Sequence, residues 1–180
     1  MCVRILLAVL MSMPVAVSAN GLTPANHYAG QQTRSIKALS PEDIDELRKG
    51  AGMGLAKAAE LNGYPGPLHV LALTKELRLT PDQVRQVTGI RERMSAAAKP
   101  LGGEIIDREQ ELDRLFAQGQ ITPERLSAET AVIGALQGHL RSVHLAAHLE
   151  TRDVLTPEQL AAYRQLRGYG NQSGAPHHRR

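Results

Sequence analysis

Two five-residue segments of this chain are nearly identical, and each has the sequence of a helix start. They are Leu79-Thr80-Pro81-Asp82-Gln83 and Leu155-Thr156-Pro157-Glu158-Gln159. In each, the threonine hydroxyl can accept from a free backbone N–H of the first turn, and the proline has no N–H to leave unpaired. The glutamine can reach back to the threonine N–H and complete a capping box. We therefore predict that Thr80, Gln83, Thr156 and Gln159 are structural helix caps.

Two looser versions of this signal predict further helix starts. They are Ser40-Pro41-Glu42-Asp43 and Thr122-Pro123-Glu124-Arg125. Between the starts, apolar residues recur at steps of three and four, and no stretch shows the alternation that is typical of a half-buried strand. The sequence therefore predicts an all-α fold.

The longest periodic stretch predicts two helices that fold into an antiparallel hairpin. The first arm covers residues 81–118 and the second covers residues 123–153, with the reversal near Gly119. The link is short, so the second arm must return along the first. Pro100 and Gly102-Gly103 interrupt the first arm, so we expect a kink there and leave open a break into two helices.

The second arm carries two faces that could each pack against another helix. The apolar face is made of Ile133, Leu136, Leu140, Val143 and Ala147. The opposite face is made of small residues, namely Ala131, Ala135, Gly138, Ser142 and Ala146. One hairpin partner covers only one face. We expect the small-residue face to contact a second copy of the chain in a homodimer, with the N-terminal helices as the alternative cover.

The segment before the hairpin predicts short helices separated by glycine and proline turns. Residues 41–62 have a helical pattern that the glycines of residues 50–54 weaken, so we expect a break or bend there. Pro67 opens the next short helix, which we expect to end near Leu79. A last short helix follows the second arm.

The beginning of the chain has the layout of a secretory signal peptide over residues 1–19. Arg4 precedes an apolar run, and Val17-Ser18-Ala19 forms a cleavage-site pattern. An uncleaved membrane anchor is the alternative, but the run is short for a span and is interrupted by a serine and a proline. We therefore predict cleavage after Ala19, a periplasmic location and no stable membrane insertion afterwards.

The remaining chain predicts one helical domain with polar ends. We expect residues 20–39 to be a flexible arm, residues 40–168 the helical domain and residues 169–180 a disordered tail. The single cysteine lies in the predicted signal peptide, so no disulfide is expected. The formal net charge is only +3, the charges are interleaved, and aromatic residues make up 3% of the chain. These features argue against a nucleic-acid partner.

The pattern resembles the Spy/CpxP family of periplasmic helical proteins, also called the LTxxQ family. The resemblance rests on the two near-identical segments, on the span between them and on the export signal, and it covers about residues 68–168. It implies a bent, cradle-shaped homodimer of long helices. Residues 40–67 are not part of the shared pattern, so the resemblance leaves their role open.

The resemblance also implies a set of functions. Family members include chaperones that hold unfolding proteins without ATP, partners of envelope-stress sensor kinases, and metal-binding relatives of the ZraP and CnrX type. We therefore expect a holdase or stress adaptor for unfolded envelope proteins, with a sensor kinase or a sigma regulator as a further partner. Exposed aliphatic side chains would contact apolar client segments, and arginines would attract acidic ones. The candidate arginines are Arg85, Arg91, Arg93, Arg141 and Arg152.

The alternative function is a periplasmic metal sensor or resistance protein. His144 and His148 lie one helical turn apart, so both imidazoles can reach one Zn(II), Ni(II) or Co(II) ion. Further ligands would come from the other subunit or from the tail, at His177-His178. The first arm offers Glu104, Asp107 and Glu111. The competing interpretation is that the two histidines flank the apolar face, half-buried or solvated.

Catalysis is not expected from this sequence. No residue combination has the context of an activated nucleophile, and no glycine-rich phosphate loop follows a strand. In the segment His144-Leu145-Ala146-Ala147-His148, leucine stands where a zinc protease helix carries its glutamate base. We therefore predict a protein that is not an enzyme and has no resident cofactor, apart from the metal alternative.

Overall fold

The computed structural model describes residues 28–169. The chain divides into two compact units, residues 1–32 and residues 33–180. A short 3-10 helix spans Gln31–Thr33 at their boundary. The predicted signal peptide with its cleavage site, and the predicted tail after residue 169, lie outside the described residues.

Six α-helices make up the described part of the second unit. In chain order they are α1 (Pro41–Lys49), α2 (Lys57–Leu61), α3 (Pro67–Ala72), α4 (Pro81–Ala117), α5 (Pro123–Val154) and α6 (Pro157–Leu166). No strand occurs in residues 28–169, so the all-α prediction is confirmed. No helix in this range meets the length and hydropathy that a membrane crossing requires.

The long helices α4 and α5 form the predicted hairpin. The reversal contains Gly119 at a φ of 63°, a left-handed conformation that favours glycine. α4 is a single helix of 37 residues that continues through Pro100, so a break into two helices is ruled out. The short helix opened by Pro67 ends at Ala72 instead of near Leu79, and turns follow it.

The N-terminal helix α1 approaches α4 very closely just after Pro100. A Cβ built on Gly102 would lie 2.1 Å from the carbonyl oxygen of Leu47, so only glycine permits this contact between backbones. α1 ends at a left-handed Gly50, where a Cβ would lie 3.1 Å from the Cβ of Ala98. The interruption that the sequence places in the first arm is therefore where α1 docks.

Ile36, which lies in the predicted flexible arm, packs into the core of the helical domain. Ile36 is buried in a cluster with Leu47 and Leu140. The next residue, Lys37, forms an ion pair with Asp113 of α4, with Nζ and Oδ2 3.0 Å apart. Within the predicted flexible arm, residues 20–39, Ile36 and Lys37 therefore contact the helical domain, because burial of the isoleucine removes apolar surface from water.

Both predicted capping boxes are present. The side chains of Thr80 and Thr156 each accept from the backbone N–H three residues later, and Gln83 and Gln159 each accept from the threonine N–H. Ser40 forms a third capping box at the start of α1. All of these starts satisfy backbone N–H groups that a helix otherwise leaves free.

The glutamines of the two near-identical segments also bind each other. Gln83 Nε2 donates to Gln159 Oε1 at 2.8 Å, and Gln159 Nε2 donates to Gln83 Oε1 at 3.0 Å. Each amide nitrogen also donates to a backbone carbonyl beyond its own helix, Gln83 to Val154 and Gln159 to Leu77. This reciprocal amide pair joins the first turn of α4 to the first turn of α6.

α5 buries one face and exposes the other. The predicted apolar face is buried or half-buried against the rest of the chain. The opposite side, here called the outer face of α5, is exposed at every position and comprises Ala131, Ala135, Gly138, Ser142, Ala146 and Leu149. α1 and α3 pack mainly on α4, and α2 packs on α5. The six positions stay exposed all the same, so the described N-terminal helices do not cover them.

Gly102→Ala is expected to destabilise the protein, because the new methyl group would overlap the Leu47 carbonyl oxygen. We expect the free energy of unfolding to fall by about 1–3 kcal/mol, measured by urea denaturation followed by circular dichroism. Gly103→Ala is the matched control, since a Cβ there meets nothing within 4 Å. The control should be neutral or gain up to about 1 kcal/mol. Equal losses in both variants would contradict the close approach.

Candidate functional site

A cavity lies between the two long helices and the segment that precedes them. The hairpin side of the cavity is lined by Arg91, Met94 and Ser95 of α4 and by His144 and His148 of α5. The opposite side is formed from residues 49–69, which include the glycine-rich loop after α1. The segment whose role the sequence left open therefore forms one wall of a site that contains both predicted metal-binding histidines.

His144 is almost completely buried, with 3% of its surface exposed. Its ring faces the glycine-rich loop, where a Cβ on Gly52 would lie 3.7 Å from Nδ1. Its Nε2 is buried and has no hydrogen-bond partner within the described part of the chain. Burial, followed by the charge of nearby His148, lowers the pKa of His144 below its ordinary value. The ring is therefore neutral at pH 7.

The ring of His148 is held in one tautomer. Its Nδ1 lies 2.8 Å from the carbonyl oxygen of Tyr64, and a carbonyl can only accept. The proton is therefore on Nδ1, and Nε2 carries the lone pair when the ring is neutral. Gly66 lies directly against the ring, since a Cβ there would lie 2.9 Å from Cε1. A larger residue would push the wall of the cavity away from α5.

Glu60 joins α2 to α6 and to the residues that directly follow it. Its Oε1 accepts from the Tyr163 hydroxyl at 2.5 Å, and from Arg167 Nε and the Tyr169 hydroxyl at 3.3 Å each. Its Oε2 accepts from the backbone N–H of Gly66 at 3.1 Å. Burial and the bond to Glu60 raise the pKa of Tyr163, so the phenol stays protonated and donates. Both oxygens of this buried carboxylate are thus occupied.

Two residues of this site were missed by sequence reasoning, namely Glu60 and His69. The Nδ1 atoms of His69 and His148 lie 3.5 Å and 3.8 Å from the Glu60 carboxylate. Glu60 sits in a short helix far along the chain from α5, so no local spacing connects it to the histidines. The available signal was indirect: an acidic residue in an alanine-rich stretch before a proline turn.

The acidic residues that the first arm was expected to offer do not reach the histidines. An ion pair joins Arg108 and Glu129 at 3.6 Å, which places Glu104 and Asp107 opposite the first half of α5. Glu111 is held by an arginine of its own helix. Within residues 28–169, no group of three His, Cys, Asp or Glu side chains is arranged to hold a metal ion.

Two of the five predicted client-binding arginines form ion pairs. Arg85 Nη2 lies 2.8 Å from Asp82, and Arg93 Nη2 lies 2.6 Å from Glu150 across the hairpin. Both pairs are exposed, so each contributes at most about 1 kcal/mol and can exchange for another acidic group.

The other three arginines lie on the side of the histidines. Arg152 stacks over the ring of Tyr64 at 4.6 Å from its centroid. Arg91 lines the cavity, and Arg141 lines a shallow groove with Met53 and other residues of the N-terminal segment. Neither Arg91 nor Arg141 forms an ion pair with any residue that the structure describes.

A known protein family matches the part of the chain that contains α4, α5 and α6. The sequence model of the LTXXQ motif family protein matches residues 68–167. The chain belongs to this family. The family is of the Spy/CpxP type, as predicted, and it is typically periplasmic and generally non-enzymatic. No curated protein and no solved structure matches the chain. The match begins inside α3, so most of the wall that closes the cavity lies outside the shared region.

We expect the stability of the protein to fall as the pH drops through about 6.5, the ordinary histidine pKa, because of His144. Its lowered pKa means that the unfolded chain takes up the proton before the folded chain does. The contribution of His144 to the free energy of unfolding is therefore complete above about pH 6.5 and is lost as the pH falls toward 5. Urea denaturation between pH 5 and pH 8 measures the effect.

His144→Gln removes the titrating ring and should flatten this part of the stability profile. His139→Gln, at an exposed position of the same helix, is the control and should keep the wild-type profile. A profile for His144→Gln as steep as that of the wild type would show that another group is responsible.

Proposed function

We propose that this LTXXQ family protein is a periplasmic, ATP-independent holdase or stress adaptor that binds unfolded proteins on the outer face of α5. The observation that supports the proposal is that this face stays uncovered along the helix, with Leu149 53% exposed. An amphipathic helix of a monomeric protein normally exposes charged residues on its outer side. Here the outer side is made of small and apolar residues, which is typical of a surface that contacts other polypeptides.

The surface beside this face adds apolar groups and positive charge. Arg141 lies at the edge of the outer face and shares its groove with Met53, Leu55 and Leu61. Arg152 follows on the same side of α5. Apolar client segments would contact the aliphatic groups, and the arginines would attract acidic segments over several ångströms. Such contacts are individually weak, so clients can leave without an energy source.

We also propose that a second copy of the chain covers part of the outer face in a homodimer. Ala135, Gly138 and Ser142 are small and exposed, so a second helix backbone can approach closely there. A symmetric contact between identical faces is the commonest way in which soluble chains form dimers. Envelope-stress sensors remain candidate partners for the same surface.

Glutamates on the outer face should weaken both client binding and dimer formation. In Ala135→Glu plus Ala146→Glu, two charges replace exposed methyl groups at the centre of the proposed interface. We expect client binding to weaken by roughly tenfold and the dimer to dissociate. The measurements are suppression of aggregation of a denatured client, with chelator and without ATP, and light scattering of the protein purified from the periplasm.

Ala96→Glu plus Ala161→Glu is the matched control, since both alanines are exposed on helices but lie off this face. The control should behave like the wild type. Failure of the wild type to suppress aggregation would exclude the holdase, and a wild-type mass of one chain would exclude the homodimer.

Metal binding is the second candidate function, and one observation favours it. His148 donates its Nδ1 proton to the Tyr64 carbonyl, the outer contact that commonly orients a histidine whose other nitrogen binds a metal. His144 lies one turn away with an unpartnered ring nitrogen. Further ligands would come from a second subunit or from His177-His178, outside the described residues.

Removal of both histidines tests this candidate. If the site holds Zn(II) or Ni(II), calorimetry on the metal-free protein should detect binding, and His144→Ala plus His148→Ala should weaken it by at least about a hundredfold. His139→Ala is the control on the same helix and should bind like the wild type. Absence of wild-type binding, or equal binding by the double variant, would exclude this site.

A further inference from the structure

The cavity beside His144 has an apolar interior that its surroundings do not fill. Met53, Leu61 and Leu68 line it and remain 39%, 56% and 54% exposed. Met94, which is half-buried, and Pro67, which is buried, belong to the same lining. Large apolar side chains that converge on one concavity while still open to solvent are the usual lining of a small-molecule site.

The charges around this cavity are positive. Lys57 and Arg91 line it, and neither forms an ion pair with another described residue. Lys49 also lines it but is paired with Asp45. The single carboxylate among the lining residues, Glu60, has both oxygens engaged by hydrogen-bond donors that include Arg167. An anion is therefore favoured at the cavity, and a metal cation alone is disfavoured by the two free cations.

A polar partner is missing inside the cavity. His144 is 3% exposed and lines the cavity, yet its Nε2 has no partner within residues 28–169. A buried polar nitrogen without a hydrogen bond costs free energy that a ligand oxygen can recover. The neutral ring retains one N–H, which can donate to a carboxylate oxygen.

From these three features we propose that the cavity binds a small organic carboxylate with an apolar chain, the chemistry of a medium-chain fatty acid. The hydrocarbon chain of the ligand lies against Met94 and Leu68. Its carboxylate lies near Lys57, Arg91 and the His144 ring. The cavity adjoins the outer face of α5, since Met53 and Leu61 also line the groove that contains Arg141. One wall comes from residues that precede the family match, and the side formed by α4 and α5 lies within it.

Decanoate, used below its micelle concentration, is the probe for calorimetry on the periplasmic protein. We expect saturable binding of one decanoate molecule per protein chain. Decanol lacks the carboxylate and butyrate lacks the long apolar chain, so each should bind at least about tenfold more weakly than decanoate. In NMR spectra, the His144 ring signals should shift on titration. The ring signals of His139, exposed on the same helix, should not.

Two independent variants test the site. Lys57→Gln plus Arg91→Gln should weaken decanoate binding by about tenfold, while Arg48→Gln plus Lys75→Gln, at exposed positions outside the lining, should leave it unchanged. Ser95→Phe places a ring in the cavity and should abolish binding while circular dichroism stays like that of the wild type. If it unfolds the protein, the charge variants decide.

Several results would overturn the proposal. They are no decanoate binding, decanol binding as tight as decanoate, or unchanged binding by Lys57→Gln plus Arg91→Gln. A carboxylate next to an apolar group also occurs at the C-terminus of a polypeptide. A short peptide with an apolar C-terminal residue is the probe for that ligand. Binding of that peptide without binding of decanoate would assign the cavity to polypeptide ends and would also overturn the proposal.

Discussion

The reciprocal amide pair between Gln83 and Gln159 joins the start of α4 to the start of α6. Each side chain caps its own helix and at the same time donates across to the other segment, so every hydrogen-bonding group of the two amides has a partner. The pair fixes α6 against the start of α4. α6 then presents Tyr163 and Arg167 to Glu60, which fixes α2 and with it one wall of the cavity. The position of the candidate site therefore depends on two glutamines that do not touch it.

Much of the fold could be predicted from the sequence because it depends on interactions between residues that are close together in the chain. Helix starts, the reversal at Gly119 and the two faces of α5 each depend on a few neighbouring residues. Contacts between distant segments could not be predicted in this way. Three features depend on contacts between distant segments, which leave no periodic pattern in the sequence. They are the pairing of the two glutamines, the approach of α1 to Gly102 and the burial of Ile36. The same holds for the candidate site, where Glu60 meets His148 only after α2 has packed on α5.

The structure has two neighbouring candidate binding surfaces that differ in their position relative to the family match. The outer face of α5 lies wholly within the region matched by the LTXXQ family model and offers small and apolar groups for other polypeptides. The cavity lies at the border of that region, with residues of α4 and α5 on one side and residues 49–69 on the other. If both proposals hold, the family region would bind other polypeptides and the preceding segment would complete a site for a small molecule, so one chain would respond to two kinds of molecule.

The spacing of the amide pair has a consequence for the order in which the chain folds. Gln83 and Gln159 are separated by 76 positions, so their contact closes a large loop whose entropy must be lost before the hydrogen bonds form. α4 can find α5 through neighbouring contacts as soon as both exist. α6 comes last, and its arrival completes the enclosure of Glu60. A chain that is synthesised from its N-terminus cannot form this contact until α6 has been made.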